Sequence, residues 1–415
     1  TREAVDEPPY YTENRIVLAS LYGLAKRDSL ARAEYASVLA IDSANLTALM
    51  SLSDFYNDRR DFRSLLAVNQ RLFNLDEMPV EEKIKRFGIF TSDNRFYREY
   101  YLQVNTLAST LAIRYPKDPR IVELYGRHLI NSGELEQALT LYKLHLTDTP
   151  PQETYYRWVI DIESYLQRPD SVDRYVSEAL QLFPEQADFH IATGNIHSYA
   201  GRHDEAARVY RQSLRYADND SLRGAIWGLV GDAHHQRAEA VLKAAKKSGT
   251  TETSRVRAAA RKAMKSCYDA YERSLRYHGD NALVLNNYAY FLSLDGVQLD
   301  RALAMAQRAV ELTGNNPTYL DTQAWVLFRS GRTAKAKKIM QQAIALDGHA
   351  STELLVHYGD ILHALHENFL AESYWRKALE KGYDADEIAR RIRILQTEKA
   401  ENATQAPFPT ETPHK

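Results

Sequence analysis

Small and apolar residues recur along this chain with a period close to 34. Seven residues after each small position comes a second one, and larger apolar side chains lie between the two. Residues three, four and seven apart share one face of a helix, so the pattern predicts helices whose small side chains let a neighbouring helix approach closely. The first column is Ala138, Val172, Ala206, Cys267, Ala302, Ala336 and Ala371; the second is His145, Ala179, Ser213, Ser274, Ala309, Ala343 and Ala378.

A further small residue precedes several members of the first column by 12 positions, at Gly126, Gly194, Ala324 and Gly359. Turn-forming triplets lie between this further small residue and the first column, as in Asn131-Ser132-Gly133 and Ser330-Gly331-Arg332. Strand patterns are scarce. Each repeat is therefore predicted to be two helices joined by a short turn.

With these columns the chain resembles the tetratricopeptide repeat (TPR) family, most specifically over 119–221 and 283–382 and in the bacterial style of the motif around Trp325. The resemblance implies an all-α fold, a right-handed α-solenoid of about ten helix pairs. The N-terminal repeats are degenerate, with Ala33 and Ala40 as one pair of small positions and Leu65 and Leu72 as another.

The expected organisation follows from where the pattern is strong, weak or interrupted. It comprises a flexible tether at 1–13, degenerate repeats at 14–118, repeats at 119–221, a repeat with a basic insertion at 222–282, repeats at 283–384, a capping helix at 385–400 and a disordered tail at 401–415.

The insertion, at about 240–265, accounts for the one spacing of 61 residues between small positions. Its strong helix formers predict a projecting helical hairpin with a turn at 248–254. Eight cations against Glu252 give it a local charge of +7. The basic side chains of this hairpin either are simply exposed to solvent or bind an acidic protein, anionic lipid or RNA. Nucleic acid is disfavoured, because no aromatic residues that could stack on bases lie among the cations. The eight are Lys243, Lys246, Lys247, Arg255, Arg257, Arg261, Lys262 and Lys265.

The default binding site of such a solenoid is the groove lined by the first helix of each pair, which suits an extended or helical peptide. Trp325 is expected either to face this groove or to pack between repeats. A clamp for a peptide's terminal carboxylate is disfavoured, because Gly228 and Thr318 stand where cations would be needed. The candidate groove residues are Arg127, Asn195, Asn286, Asn287, Tyr290, Asp321, Trp325, Arg329 and Asp360.

The composition and motif content of the chain limit the ligands and reactions that we expect for it. The 53 Lys and Arg residues nearly balance the 55 Asp and Glu residues, which predicts no general attraction to polyanions. Cys267 is the single cysteine, and His357 and His363 with His366 form no recognised metal motif. Phosphate-binding loops, nucleophile elbows and metalloprotease helices are absent from the sequence. We therefore predict no catalytic residue, no metal and no cofactor.

The leading hypothesis is a non-enzymatic scaffold that binds protein or peptide segments and supports assembly or regulation of a bacterial complex. One alternative is an electrostatic adaptor acting through the basic hairpin; another is a helper subunit of an envelope enzyme or secretion system. The chain opens at Thr1 with an acidic, proline-containing segment, which favours an exported, processed protein of the cell envelope over a cytoplasmic one. Membrane contact would then come from the hairpin or from a removed N-terminal anchor.

Overall fold

The computed structural model describes residues 11–247, 254–346 and 351–404. Within these ranges the regular structure is α-helix, apart from one 3-10 turn at Leu214–Tyr216, and no strand occurs. The chain divides into two compact units, Thr1–Leu182 and Phe183–Lys415, called unit 1 and unit 2 below. The all-α solenoid prediction is confirmed.

Unit 1 holds five helix pairs, the third of which contains an extra short helix. Its helices are α1 (Tyr11–Leu24), α2 (Asp28–Ile41), α3 (Leu46–Asp58), α4 (Phe62–Phe73), α5 (Val80–Thr91), α6 (Asn94–Glu99), α7 (Tyr101–Arg114), α8 (Pro119–Asn131), α9 (Leu135–Leu144), α10 (Glu153–Tyr165) and α11 (Pro169–Leu182).

Unit 2 holds five further pairs and a final single helix. Its helices are α12 (Ala187–Tyr199), α13 (His203–Ser213), α14 (Asp220–Lys247), α15 (Ser254–Tyr277), α16 (Ala282–Asp295), α17 (Leu299–Leu312), α18 (Pro317–Arg329), α19 (Thr333–Leu346), α20 (Thr352–Ala364), α21 (Asn368–Glu380) and α22 (Ala385–Thr404).

The helix ends follow local sequence chemistry. Asn316 caps α18 by accepting a hydrogen bond from the Thr318 backbone N–H at 3.0 Å, and Pro317 fills the first helical position, where no donor is needed. Gly133 and Gly331, in the turns that join paired helices, adopt φ of +83° and +73°, which glycine reaches without strain. The predicted turns therefore lie where the sequence places them.

Glycine in the first helix of a pair makes room for an aromatic ring of the second helix. A β-carbon built on Gly126 would lie 2.2 Å from Cζ of Tyr142, and one on Gly194 would lie 2.2 Å from Cε1 of Tyr210. The ring thus occupies the space of the missing side chain. The same contact recurs between Gly231 and Tyr271 and between Gly359 and Trp375. The small residues four positions before these rings are fully buried: Ala138, Ala206, Cys267 and Ala371.

The basic insertion is an extension of one ordinary pair. Gly231 and Tyr271 keep the contact just described, although they stand 40 residues apart where Gly194 and Tyr210 stand 16 apart. The additional residues lengthen α14 to 28 residues and α15 to 24. Buried Ala238, Ala260 and Ala263 let the lengthened helices pack closely. The predicted hairpin is thus continuous with its repeat, and residues 248–253 of its turn lie outside the described ranges.

Three expectations at the N-terminal end differ from the structure. Ala33 and Ala40 are exposed, while Ala31, Tyr35 and Val38 are buried, so the predicted register was wrong by two residues. Residues 94–99 form the extra helix α6, because capping by Asp93 starts a new helix after α5. Helix α1 begins at Tyr11, inside the expected tether, of which residues 1–10 lie outside the described ranges.

At the other end, α22 continues to Thr404, beyond the predicted end of the capping helix at residue 400. Ile388 and Leu395, seven residues apart on one helical face, are fully buried. They attach α22 to the last helix pair. The predicted disordered tail therefore begins with four helical residues, and 405–415 lie outside the described ranges.

The glycine contact predicts opposite outcomes for one substitution at two helical sites of unit 1. Gly126→Ala should lower the free energy of unfolding by about 1–3 kcal/mol, because its methyl group would overlap the fully buried ring of Tyr142. Gly88→Ala, an exposed site with nothing within 4 Å, should raise it by up to about 1 kcal/mol through helix propensity. Urea denaturation measures both changes, and equal effects would contradict the contact.

Candidate functional site

At three of these four glycines, the residue that follows accepts a hydrogen bond from the polar end of the aromatic ring. The Tyr210 hydroxyl donates to Oδ1 of Asn195 at 2.7 Å, and Trp375 Nε1 donates to Oδ1 of Asp360 at 2.9 Å. Asn195 and Asp360 were predicted to be free groove residues. Both instead use an oxygen to hold the second helix of their own pair, and only the remaining polar atoms are available to a ligand.

Asp360 has a second role, in attaching the capping helix. The Arg391 guanidinium donates from Nε to Oδ1 of Asp360 at 2.8 Å and from its terminal nitrogen to Oδ2 at 3.0 Å. Paired hydrogen bonds of this kind combine charge attraction with fixed geometry. Asp360 is therefore a structural residue at the junction of α20 and α22, in addition to its place on the predicted groove.

Asp232 occupies the equivalent place in the extended pair. It accepts hydrogen bonds from the Tyr271 hydroxyl and from Nδ2 of Asn287, the latter at 3.4 Å. Burial, which penalises the carboxylate, raises the pKa of Asp232 despite these donors. The predicted groove residue Asn287 thus contacts the preceding first helix, and Asp232 was not among the predicted site residues.

Arg127 breaks this pattern in unit 1, because a guanidinium can donate but not accept. The Tyr142 hydroxyl, which lies above Gly126, is buried and has no hydrogen-bond partner within the described ranges. Arg127 itself is exposed, and no described residue forms an ion pair with it. It is the predicted groove residue that the helix-pair contact leaves free.

Arg127 lines a cavity of about 290 Å³ on the first helices of unit 1. Phe87 and Leu124 contribute apolar walls, and Arg120, on the rim, pairs with Glu81 at 2.9 Å and with Asp118 at 2.6 Å. The charge of Arg120 is matched by these two carboxylates. The guanidinium of Arg127 has no such partner among the described residues and can still donate hydrogen bonds to a ligand.

His128 forms the polar wall of the same cavity. Its Nε2 lies 2.9 Å from Oδ1 of Asn105 and its Nδ1 lies 2.8 Å from the Tyr97 hydroxyl. Since a carbonyl oxygen only accepts, Nε2 carries the proton and Nδ1 accepts from Tyr97. Burial lowers the pKa of His128, which favours this neutral form.

In unit 2 four rings from three consecutive first helices lie together; we call Tyr290, Trp325, Phe328 and His357 the aromatic ladder. Trp325 and His357 stack with ring centroids 4.1 Å apart, and Tyr290 and Phe328 flank them at 6.0 Å from His357 and 5.2 Å from Trp325. Tyr290 and Phe328 are half-buried, whereas Trp325 is 9% exposed. Both interpretations of Trp325 are thus partly met: it packs between repeats beneath a surface that its neighbours expose.

Some polar groups around the aromatic ladder have hydrogen-bond partners among the described residues, and others do not. Asp321 lies 2.9 Å from Nδ1 of His357 and orients that ring. By contrast, Nε1 of Trp325 and Oδ1 of the buried Asn286 have no hydrogen-bond partner among the described residues. Burial raises the pKa of Tyr290 to about 12, so its hydroxyl stays protonated and can donate. Arg329 is exposed and donates to the Leu294 carbonyl at 3.4 Å.

The structure thus brings seven predicted residues of unit 2 onto the adjoining first helices α16, α18 and α20: Asn286, Asn287, Tyr290, Asp321, Trp325, Arg329 and Asp360. Sequence reasoning missed His357 as a binding-surface residue and treated it only as a metal candidate. The sequence feature that could have identified it is its position 36 residues after Asp321, which is close to one repeat length. All eight cations of the basic hairpin are exposed, as a solvated helix would have them.

The described ranges lack two kinds of feature, a metal-binding cluster and a membrane-spanning helix. They contain no group of three His, Cys, Asp or Glu side chains arranged to hold a metal ion. No helix in these ranges has the length and apolarity needed to cross a bilayer. Cys267 is buried, and burial raises its thiol pKa, so it packs as a small core residue.

Comparison with known proteins gives a local sequence relative and distant structural ones. No family model matches the chain. A curated TPR repeat-containing protein of Pseudomonas aeruginosa is 30% identical over 93 residues, which is 21% of this chain and 15% of that protein. The match therefore spans less than a sixth of the relative's length.

Three solved structures are similar at 13% identity. Cut9–Hcn1 from a hetero-tetramer of the APC/C has a TM-score of 0.49, with 92% of this chain and 76% of that chain covered. Yeast Tom70 has a TM-score of 0.38, covering 96% and 97%. A tetratricopeptide repeat protein from Parabacteroides merdae has a TM-score of 0.35, covering 76% and 98%.

The chain is thus similar over 93 residues to a TPR repeat-containing protein, and its described residues form an all-α array of helix pairs.

The polar anchors predict different effects for removal of two buried tyrosine hydroxyls. Tyr210→Phe should lower the free energy of unfolding by about 0.5–1.5 kcal/mol, because its hydrogen bond to Asn195 is lost. Tyr142→Phe should be neutral or stabilising, because the hydroxyl it removes is buried without a partner. Denaturation midpoints of the two variants measure the difference. A loss for Tyr142→Phe as large as that for Tyr210→Phe would show that Arg127 supports the Tyr142 hydroxyl after all.

Proposed function

We propose that this protein is a non-enzymatic scaffold that binds an extended segment of a partner protein across the first helices of unit 2. The observation that supports the proposal is the aromatic ladder, which joins α16, α18 and α20 with ring centroids 4.1–6.0 Å apart. Aromatic side chains supply large contact area at low entropic cost and carry much of the binding energy in protein interfaces.

The chemistry of the ladder favours an apolar or aromatic partner segment. Asp321 is engaged by His357 and Asp360 by Arg391, so the charges of these two carboxylates are already matched. The groups that a partner segment could contact are therefore the ring surfaces of Tyr290 and Phe328 and the Tyr290 hydroxyl, which can donate a hydrogen bond. A partner would supply apolar side chains to the rings and main-chain carbonyls to the hydroxyl.

Unit 1 offers a second surface of different character, at the cavity beside Arg127. Its free guanidinium above apolar walls suits a side chain that carries a carboxylate on an apolar stem. We propose that two such surfaces allow one chain to engage more than one segment and so to support assembly or regulation of a complex, of the bacterial kind that the sequence motif favours.

The test compares two Phe→Ala variants of unit 2. Peptides are first selected on the full chain from a random twelve-residue library, and the tightest is measured by fluorescence anisotropy. Phe328→Ala should weaken its Kd at least tenfold, since a ladder ring is lost. Phe369→Ala, on the second helix α21 where that ring is 83% exposed, should change Kd less than twofold.

Circular dichroism would establish that both variants remain folded. Three results would contradict the proposal: no peptide selected, equal weakening by both variants, or a tight peptide that is indifferent to Phe328→Ala.

A further inference from the structure

Five of the seven basic residues of α15 lie along one face of the helix. At 100° per residue, Arg255, Lys262, Lys265, Arg273 and Arg276 lie within an arc of about 80°. We call these five residues the basic stripe. It is about 32 Å long at 1.5 Å per residue. All five are exposed, on the side of α15 opposite the buried Ala263, Cys267 and Ala270.

The members of the basic stripe differ from several arginines of the regular repeats in their lack of ion-pair partners among the described residues. Arg308, for example, reaches Asp280 at 2.8 Å, and Arg332 reaches Asp300 at 2.9 Å. No member of the basic stripe forms an ion pair with a residue that the structure describes. Asp269, also exposed, is the single acidic residue within the same arc.

A cavity lies at the end of the basic stripe nearest the solenoid. It measures about 310 Å³ and is lined by Trp227, Arg273, Arg276 and Tyr277. The Arg273 guanidinium stacks over the Trp227 ring, 4.7 Å from its centroid. Stacking fixes the plane of the guanidinium while its N–H edge stays available, and this arrangement favours paired hydrogen bonds to a carboxylate. Trp227 comes from α14, so no pattern within α15 indicates this cavity.

We propose that the basic stripe docks an acidic, extended segment of a partner protein, with one carboxylate held in the cavity beside Trp227. Charge complementarity supports this occupant. Five cations in single file, none with an ion-pair partner among the described residues, match carboxylates along an extended chain, and about ten residues span the stripe at 3.3 Å each. This site is separate from the aromatic ladder and does not depend on it.

The other polyanions fit the surface less well. Single-stranded nucleic acid needs aromatic side chains on which successive bases stack, and the arc of α15 that carries the basic stripe holds no aromatic residue between Arg255 and Arg276. A membrane surface engages flanking apolar side chains as well as cations, whereas the exposed neighbours along the arc include Asp269. Acidic protein is therefore the occupant that charge and side-chain chemistry favour together.

The test uses the full chain and two charge-reversal variants of α15 with the same change in net charge. Lys262→Glu with Lys265→Glu reverses the middle of the basic stripe. Arg257→Glu with Arg261→Glu, on a different exposed face of α15, is the control. A fluorescein-labelled ten-residue peptide of Glu and Asp is titrated by anisotropy at 50 and 200 mM NaCl, beside a ten-residue uridine RNA and vesicles of phosphatidylcholine with 30% phosphatidylserine.

The peptide should bind the unaltered chain more weakly at higher salt, and the stripe variant should weaken its Kd at least tenfold while the control weakens it less than threefold. The proposal is overturned if the peptide fails to bind at 50 mM NaCl or if both variants weaken it equally, which would mean a diffuse charge effect. It is also overturned if RNA or vesicles bind tenfold more tightly than the peptide. Melting followed by circular dichroism should leave both variants unchanged, because all four altered side chains are exposed.

Discussion

The close approach of an aromatic ring to a glycine is the constraint on which the helix pairs depend. At Gly126, Gly194, Gly231 and Gly359 the ring of the paired helix lies where a β-carbon would be. The small residue four positions before each ring is buried to the same degree, so the two helices approach closely at both points. A repeat solenoid depends on such contacts, since each repeat gains its core only from its own helices and its neighbours.

This contact also decides which surface residues remain available for recognition. Because each ring carries a polar end, the residue after the glycine must supply an acceptor, as Asn195 and Asp360 do. At Arg127 the acceptor is missing and the guanidinium stays free. In the pairs of α16 and α18 the same position holds Tyr290 and Trp325, which build the aromatic ladder. Packing and recognition thus share one position, and the side chain there determines which of the two it serves.

The repeat spacing could be read from sequence because small buried residues tolerate few alternatives. Residues such as Ala302 and Ala336 therefore stand out at a spacing of 34. The N-terminal register was misjudged because α2 offers several alanines, and only tertiary packing distinguishes buried Ala31 from exposed Ala33.

The site was only partly predictable, for a related reason. Position within a repeat indicates which way a side chain faces, but the donor that occupies it comes from another helix. The bonds of Asp360 to Trp375 and Arg391 join residues 15 and 31 positions apart. Likewise, Trp227 meets Arg273 because α14 and α15 pair around the contact of Gly231 with Tyr271, although the two residues stand 46 positions apart in the sequence. Such pairings depend on three-dimensional packing that no local pattern records.

Hydrogen exchange with and without a bound, selected peptide tests most directly the claim that the first helices carry recognition. Mass spectrometry of the full chain would follow exchange in each helix of unit 2. Peptide binding should slow exchange in α16, α18 and α20 and leave exchange in α17, α19 and α21 unchanged. Slowing that is equal in first and second helices, or that is confined to the second helices, would contradict that claim.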